Sequence, residues 1–419
     1  MKTMILKGDI CYSKTKKTLA CLKNGFLVCD SGLSAGVFPT IPEQYRRFPL
    51  KEYTGKLIIP GLIDLHTHGP QFSLRSLGLD KELLDWLEAL VFPEEAKYSD
   101  ISYAEQAYTA AVGDVKKGPN TRACFFGTVH TPSTLRLMTL LEESGLVCRV
   151  GKVNMDRNCP DSLGEASAEA SETATRAWLG QCDAYKNVAP ILTPRFIPSC
   201  TDDLMRRLSA IRKEYGLPVQ SHLSENLREM AWVRELCPES TGYADAYARF
   251  DLLGPETIMA HCVWSDSAEI ELLAQAGVFA AHCPQSNMNL SSGAAPVRKL
   301  LAGGVRVGLG SDVAGGVHPS IFRAMTDAIQ VSKLRRIQDA EDDPLTLEEA
   351  FYLGTLGGGA FFGAVGSFEA GYEFDALVID DASLAPPFPL SLRERLERVV
   401  YLSEDRHIIA KYVRGAPLF

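Results

Sequence analysis

The chain has 419 residues, a formal net charge of −9 and 46% hydrophobic residues, which is the composition of an ordinary globular protein. Because 43 basic side chains face 52 acidic ones, a role in coating nucleic acid is disfavoured. No stretch holds the roughly 20 consecutive apolar residues of a membrane span, and charged residues interrupt the N-terminus before a signal sequence could form. We therefore expect a cytoplasmic protein that binds neither nucleic acid nor membrane.

The chain begins with short runs of β propensity. Within residues 1–58 these include residues 25–29, and turns rich in Lys, Gly and Ser separate the runs. Such runs are too few to form a stable sheet by themselves. They therefore need partner strands from elsewhere in the chain.

The middle of the chain alternates short apolar runs, each ending in a polar residue, with longer amphipathic stretches. The eight runs are 57–66, 123–129, 147–155, 188–195, 218–222, 257–261, 277–282 and 305–312. Buried strands that alternate with helices indicate parallel βαβ units, and eight units over about 300 residues match a (β/α)8 TIM barrel. A doubly wound sheet is the competing architecture, but the G-x-G-x-x-G turn of a dinucleotide site is missing. We predict an α/β fold with this barrel over residues 59–365.

The C-terminal part returns to β-type runs, at residues 375–379 and 407–415. These runs are also too few to form a sheet alone. We therefore predict that residues 1–58 and 366–419 pair with each other into one small β-sandwich beside the barrel.

Histidines and one aspartate recur at the ends of the predicted barrel strands. His66 and His68 close the first strand, His222 the fifth and Asp312 the eighth. The C-terminal ends of barrel strands meet at one rim, where active sites are built. Residues at i and i+2 of a strand point to the same side, so His66 and His68 can reach one ion.

Three imidazoles and one carboxylate suit Zn²⁺ or Fe²⁺ and leave a coordination position open for water. The fourth run ends in Arg195 and offers no lysine to bridge two metals, so a single ion is expected. None of the 11 cysteines lies in a C-x-x-C pair, so thiol ligands are not expected. The alternatives are that the histidine pair is only part of a loop and that Asp312 only caps a turn.

The roles of three further residues at this rim are still open. His261 and His282 end the sixth and seventh strands, and each could be a ligand, a donor to the bound water or an outer residue that orients a ligand. We place His261 against the hydrolytic water or the substrate, and His282 behind the ligands or in the core. Glu225 can shuttle a proton between water and substrate, or can only favour the start of a helix.

These residues, in this order, resemble the mononuclear deaminase branch of the amidohydrolase superfamily over nearly the whole chain. The segments that carry the resemblance are 60–71 (PGLIDLHTHGPQ), 151–156 (GKVNMD), 193–196 (TPRF), 221–226 (SHLSEN), 282–287 (HCPQSN) and 308–316 (GLGSDVAGG).

The resemblance implies an activity and a role for each site residue. It implies hydrolytic deamination of guanine to xanthine and ammonia by a homodimer that holds one zinc ion per chain. The implied ligands are His66, His68, His222 and Asp312. Glu225 and Asp312 would move protons, while Gln71, Arg195 and Phe196 would bind the purine, together with Glu225 and His261.

Two other functions stay open at this point. A relative could act on another amino-heterocycle, such as a pterin, a modified guanine or a triazine. A barrel without activity, kept as a binding or assembly protein, would need a broken set of ligands, and the set in this sequence is intact.

Overall fold

The structure, a computed structural model, describes residues 3–419. Its strands are, in chain order, β1 (Met4–Thr15), β2 (Thr18–Asp30), β3 (Leu33–Phe38), β4 (Leu50–Pro60), β5 (Leu62–His68), β6 (Asn120–Phe126), β7 (Val147–Gly151), β8 (Val153–Asn154), β9 (Val188–Pro190), β10 (Thr193–Pro194), β11 (Val219–Leu223), β12 (Thr257–His261), β13 (Phe279–His282), β14 (Arg306–Leu309), β15 (Ala376–Ile379), β16 (Ile408–Val413) and β17 (Ala416–Pro417).

The α-helices fill the connections between these strands. They are α1 (Leu83–Trp86), α2 (Phe92–Ala96), α3 (Ile101–Lys117), α4 (Thr131–Ser144), α5 (Ala168–Cys182), α6 (Asp202–Tyr215), α7 (Leu227–Leu236), α8 (Tyr243–Ala248), α9 (Ser267–Ala276), α10 (Pro284–Asn289), α11 (Val297–Ala302), α12 (Ile321–Gln338), α13 (Leu347–Tyr352) and α14 (Leu392–Leu402). No helix within residues 3–419 is both long enough and apolar enough to cross a membrane.

Local sequence explains where the longer helices begin and end. The side chain of Asp100 accepts from the amides of Ser102 and Tyr103 at the start of α3, and Thr201 caps α6 in the same way. Helix α6 ends at Gly216, whose φ of 63° is left-handed and therefore favours glycine.

Strands β5–β14 form the parallel part of the fold. One four-stranded parallel sheet has the order β5-β6-β7-β9 and another the order β11-β12-β13-β14, while β8 pairs with β10. A single parallel bridge between Leu192 and Val219 connects the two sheets. Each of the eight predicted runs overlaps a strand, so the α/β fold with parallel strands is confirmed.

The other edges of the two sheets also approach each other. The amide of Asp312, beyond β14, donates to the carbonyl oxygen of His66 in β5 at 2.9 Å, and the amide of His68 donates to Val313 at 3.3 Å. The described strands do not form one continuous hydrogen-bonded ring. The closed (β/α)8 barrel therefore stays a prediction, as do its boundaries at residues 59 and 365.

The two ends of the chain pair with each other, as the sequence indicated. They form one seven-stranded sheet of order β17-β16-β15-β4-β1-β2-β3, in which β4 pairs with β15. The described strands of this part belong to a single sheet, so the two-layer sandwich stays a prediction. Helix α14 provides a cover instead: Leu396 and Val399 pack in the same apolar cluster as Cys11 of β1.

A buried ion pair connects this terminal sheet to β6. Arg122 is 1% exposed; its Nε donates to Asp375 Oδ2 at 2.7 Å and a terminal nitrogen donates to Glu373 Oε2 at 2.8 Å. Because a buried guanidinium needs a carboxylate partner, these contacts restrict how the sheet and the parallel strands can pack.

We expect Arg122→Ala to lower the free energy of unfolding by about 3–5 kcal/mol, because it leaves Asp375 buried without its charged partner. Arg136→Ala is the matched control: it removes a partly exposed pair with Glu105 and is expected to cost about 0–1 kcal/mol. Urea unfolding of both variants measures the difference. Equal losses would contradict the structural role of the buried pair.

Candidate active site

Four imidazoles meet at the C-terminal ends of the parallel strands. His66 and His68 lie in β5, His222 in β11 and His261 at the end of β12, and all four are buried. The ring centre of His66 is 4.9 Å from those of His68 and His222 and 5.4 Å from that of His261. The Nε2 atoms of His68 and His222 are 3.2 Å apart. Residues separated by nearly 200 positions thus share one small volume.

Asp312 faces three of these rings. Its Oδ1 lies 3.1 Å from Nε2 of His66 and 3.4 Å from Nε2 of His68, and its Oδ2 lies 3.7 Å from Nε2 of His261. Burial by itself would raise the pKa of Asp312, but the neighbouring imidazoles outweigh it and hold that pKa well below its usual range. Asp312 is therefore an anion at neutral pH.

Glu225 stands at the same site in the opposite protonation state. Its Oε2 lies 3.3 Å from Nε2 of His261, and its Oε1 accepts a hydrogen bond from Ser292. Burial, and then the nearby charge of Asp312, raise the pKa of Glu225 well above its usual range. The site thus contains one carboxylate and one carboxylic acid, a difference that suits acid–base chemistry.

Sharp turns of the backbone bring these side chains inward. Ser224, His261 and Asp312 have φ values of 48°, 76° and 47°, in the left-handed region that residues other than glycine seldom adopt. Such conformations occur where the surrounding structure enforces them, often at functional sites. Three of the strands that carry site residues therefore end in a bend.

Hydrogen bonds on the outer side of two rings determine which nitrogen faces the site. Nδ1 of His222 lies 2.6 Å from the carbonyl oxygen of Arg195, and an oxygen of that kind only accepts, so this nitrogen carries the proton. Nδ1 of His261 lies 2.8 Å from Oδ1 of Asn287. Burial lowers the pKa of His222, and the nearby imidazoles lower it further. Its Nε2 is therefore free to bind an ion.

The donor atoms fit one metal ion. Two overlapping groups bring their ligand atoms within 4.8 Å of one another: His66, His68 and Asp312, and His66, His222 and His261. Within residues 3–419, Nε2 of His66 and Nε2 of His261 are buried without a hydrogen-bond partner of suitable geometry. Buried polar atoms without partners are costly, and an ion bound among these nitrogens would satisfy them.

A thiol also lies within reach of this cluster. Cys283 forms a third group with His261 and Asp312, although no thiol ligand was expected. Burial raises the pKa of this thiol well above its ordinary value, and its sulfur donates to the carbonyl oxygen of Ala281. Because metals bind the thiolate, the imidazoles and Asp312 are the better donors.

His282 lies near the cluster but belongs to none of these groups. It is buried, and burial lowers the pKa of its imidazole to about 3. The ring is therefore neutral, and its role behind the predicted ligands stays a prediction.

A narrow cleft opens from this cluster. It encloses about 410 Å³ of space between atoms, most of it too narrow for a water molecule. Its walls are His68, Gln71, Leu83, Trp86, Leu87, Arg195, Phe196, His222, Glu225, Glu229, His261, Leu290 and Asp312. Every predicted substrate-binding residue lines it. A larger groove elsewhere on the molecule, with Trp264 and Leu334 in its walls, contains none of the predicted site residues.

Asp64, Asn287 and Glu95 are among the buried residues of the site that the sequence did not predict. Asp64 accepts from the amide of Ser311 at 2.9 Å and from its hydroxyl, and burial raises its pKa to about 7 against these hydrogen bonds. Its spacing of two residues from His66 could have indicated it, because alternate residues of a strand share a face. Asn287 orients His261. Glu95 contacts Gln71 and Arg195, two of the predicted substrate-binding residues, and no local pattern marks it.

Comparisons with known proteins agree with this arrangement. A sequence model of the amidohydrolase family matches residues 57–418, and the chain therefore belongs to the amidohydrolase family. A guanine deaminase from Dictyostelium discoideum is 39% identical over 86% of this chain and 82% of its own length. The human guanine deaminase is 37% identical with the same coverage.

A solved structure is also similar along its whole length. A guanine deaminase from C. acetobutylicum, crystallised with guanine bound in the active site, is 43% identical, and the similarity covers 100% of both chains with a TM-score of 0.97.

We expect His66→Ala to reduce the metal content of the purified protein by at least about tenfold, because His66 belongs to both groups of donor residues. Elemental analysis after dialysis measures it. The control is His318→Ala, which removes an exposed imidazole outside the cluster and should leave the content unchanged. Equal content in both variants would reject the assigned ligands.

Proposed function

We propose that this protein removes the exocyclic amine of guanine by hydrolysis, which yields xanthine and ammonia. One observation carries the proposal: most members of the buried cluster of imidazoles and acidic groups line the same cleft as Gln71, Arg195 and Phe196. The narrowness of the cleft favours a flat ring. Relatives with 37–39% identity that bear the name guanine deaminase support the choice of substrate.

We propose His66, His68, His222 and Asp312 as ligands of one Zn²⁺, with Fe²⁺ as the alternative that the same donors allow. A zinc ion bound there would lower the pKa of its water toward about 7. The proposal is supported by the close approach of these residues and by Nε2 of His66, which is buried without a hydrogen-bond partner of suitable geometry.

Glu225 and Asp312 divide the proton transfers between them. Because its pKa is raised, Glu225 carries a proton that it can donate to a ring nitrogen next to the carbon that is attacked. Asp312, whose pKa is lowered, can accept a proton from the attacking water. Asp312 then passes that proton to the amine, which leaves as ammonia, and the new hydroxyl on the ring carbon gives its proton back to Glu225 as the carbonyl forms. His261, between the two acidic groups, orients the water or the substrate.

The remaining residues hold the purine. Arg195 offers guanidinium donors to carbonyl and ring acceptors, and Gln71 offers both a donor and an acceptor. Phe196 supplies an aromatic face against the ring; it is itself held edge-on by Trp232, with ring centres 6.4 Å apart.

A closed barrel, a homodimer and a cytoplasmic location remain proposals. The hydrogen bonds between β5 and the segment after β14 support closure. The family resemblance supports the dimer, and the composition of the chain supports the location.

Turnover of guanine, adenine, cytosine and pterin at equal concentrations tests the proposed substrate. We expect xanthine and ammonia from guanine and much slower release of ammonia from the others. Adenine lacks the ring carbonyl that the site is built to bond, whereas cytosine and pterin keep a carbonyl but differ from guanine in the size of the ring system. Faster release from pterin would make a related heterocycle the substrate, and no xanthine at all would reject guanine.

We expect Glu225→Gln to lower kcat for guanine by about 10²–10⁴-fold, because an amide cannot transfer the proton. The metal content should not change, since Glu225 is not among the proposed ligands. Glu235→Gln, on the exposed side of α7, is the control and should keep full activity. A Glu225→Gln variant as active as the control would remove Glu225 from the mechanism.

A further inference from the structure

A carboxylate lies behind the residues that hold the purine. Glu95, near the end of α2, is 1% exposed. Its Oε1 accepts from Nε2 of Gln71 at 3.0 Å and from a terminal nitrogen of Arg195 at 3.1 Å. Its Oε2 accepts from the other terminal nitrogen of Arg195. Glu95 does not line the cleft, so it acts on a ligand only through these two side chains.

The contacts between Glu95 and Arg195 determine the plane of the guanidinium. A carboxylate that binds both terminal nitrogens holds the group in a two-point geometry. One hydrogen on each of these nitrogens is then used, and the remaining N–H groups of Arg195 are available to a ligand. The ring of Phe92, 5.2 Å from the guanidinium carbon, restricts it from another side.

The same carboxylate determines how the Gln71 amide is turned. Its Nε2 donates to Glu95, while its Oε1 accepts from the amide of Ala314 at 3.3 Å. Because the carboxylate of Glu95 needs a donor and the backbone N–H of Ala314 needs an acceptor, only one orientation of the Gln71 amide satisfies both. Gln71 therefore presents a defined donor and a defined acceptor lone pair to the cleft.

Burial explains why this arrangement depends on a charged partner. Arg195 is 3% exposed, and its only carboxylate partner within residues 3–419 is Glu95. A buried guanidinium without a partner is strongly unfavourable. Without Glu95, Arg195 would turn toward other acceptors and lose the geometry that faces the cleft.

We propose that Glu95 is a positioning residue that gives this site its preference for purines with a ring carbonyl, because it aligns the donors of Arg195 and Gln71 with that oxygen. The inference rests on the proposed function, since it takes the ligand to be a purine in this cleft. It goes beyond that function by assigning selectivity to a residue that does not touch the ligand.

Two ligands that differ at this carbonyl test the proposal by calorimetry. Hypoxanthine has the carbonyl and purine lacks it, and neither carries the amine that reacts, so binding is measured without turnover. Glu95→Gln keeps the size of the side chain but places an amide donor against the guanidinium. We expect hypoxanthine affinity to fall about 10-fold or more and purine affinity by less than about 3-fold.

Kinetics with guanine give a second measure. Loss of contacts made equally in the bound substrate and the transition state raises KM and changes kcat less. We therefore expect Glu95→Gln to raise KM about 10- to 100-fold, and Glu95→Asp, which keeps the charge, to recover part of that loss. Glu94→Gln is the matched control, because Glu94 is a buried neighbour in α2 that accepts from Lys97 and Tyr103 and contacts neither Arg195 nor Gln71.

The outcomes separate the two proposals. If the wild-type protein produces xanthine but Glu95→Gln weakens both ligands equally, or resembles Glu94→Gln, the role of Glu95 is refuted and the proposed function stands. If the wild-type protein produces no xanthine, the proposed function fails, whatever the binding data show. If Glu95→Gln does not fold, the same ratio of affinities is read from Glu95→Asp, and an unchanged ratio refutes the proposal.

Discussion

The site depends on buried polar groups that satisfy one another's hydrogen bonds and charges in the absence of water. Four imidazoles, Asp312 and Glu225 are all buried, and groups of this kind are tolerated in an interior only when each finds a partner. The outer nitrogens of His222 and His261 bond to Arg195 and Asn287. The inner nitrogens face one another and Asp312. The nitrogens that face inward therefore keep free lone pairs, and a cation is the partner that can bind them.

The close approach of β14 to β5 brings the carboxylate of Asp312 to the imidazoles. A side chain at Gly310 would place its Cβ 2.7 Å from Sγ of Cys283 and 2.9 Å from Cβ of His66, distances that real structures do not show. Only glycine allows the chain to pass there. Gly310 therefore makes room for the neighbouring strand.

The parts of the site that the sequence predicted are those that follow from local rules. A spacing of two residues places His66 and His68 on one face of a strand, and a strand end identifies His222 and Asp312. Glu95 lies in a five-residue helix that follows a long connection, and its contacts with Gln71 and Arg195 arise only from tertiary packing. The pairing of the two ends of the chain was predictable because neither end can form a sheet alone. The helix α14 that covers the resulting sheet was not predicted.

The terminal sheet affects the site through the register of β5. Strand β4 ends at Pro60 and β5 begins at Leu62, so Gly61 alone separates the sheet from the strand that carries two proposed ligands. The amide of Gly61 donates to the carbonyl oxygen of Asp375, and a Cβ at this position would lie 2.2 Å from the side chain of Thr121. The chain therefore cannot slide there. A shift of one residue would turn both imidazoles to the opposite face, so the distant C-terminal strands help to keep the ligands in place.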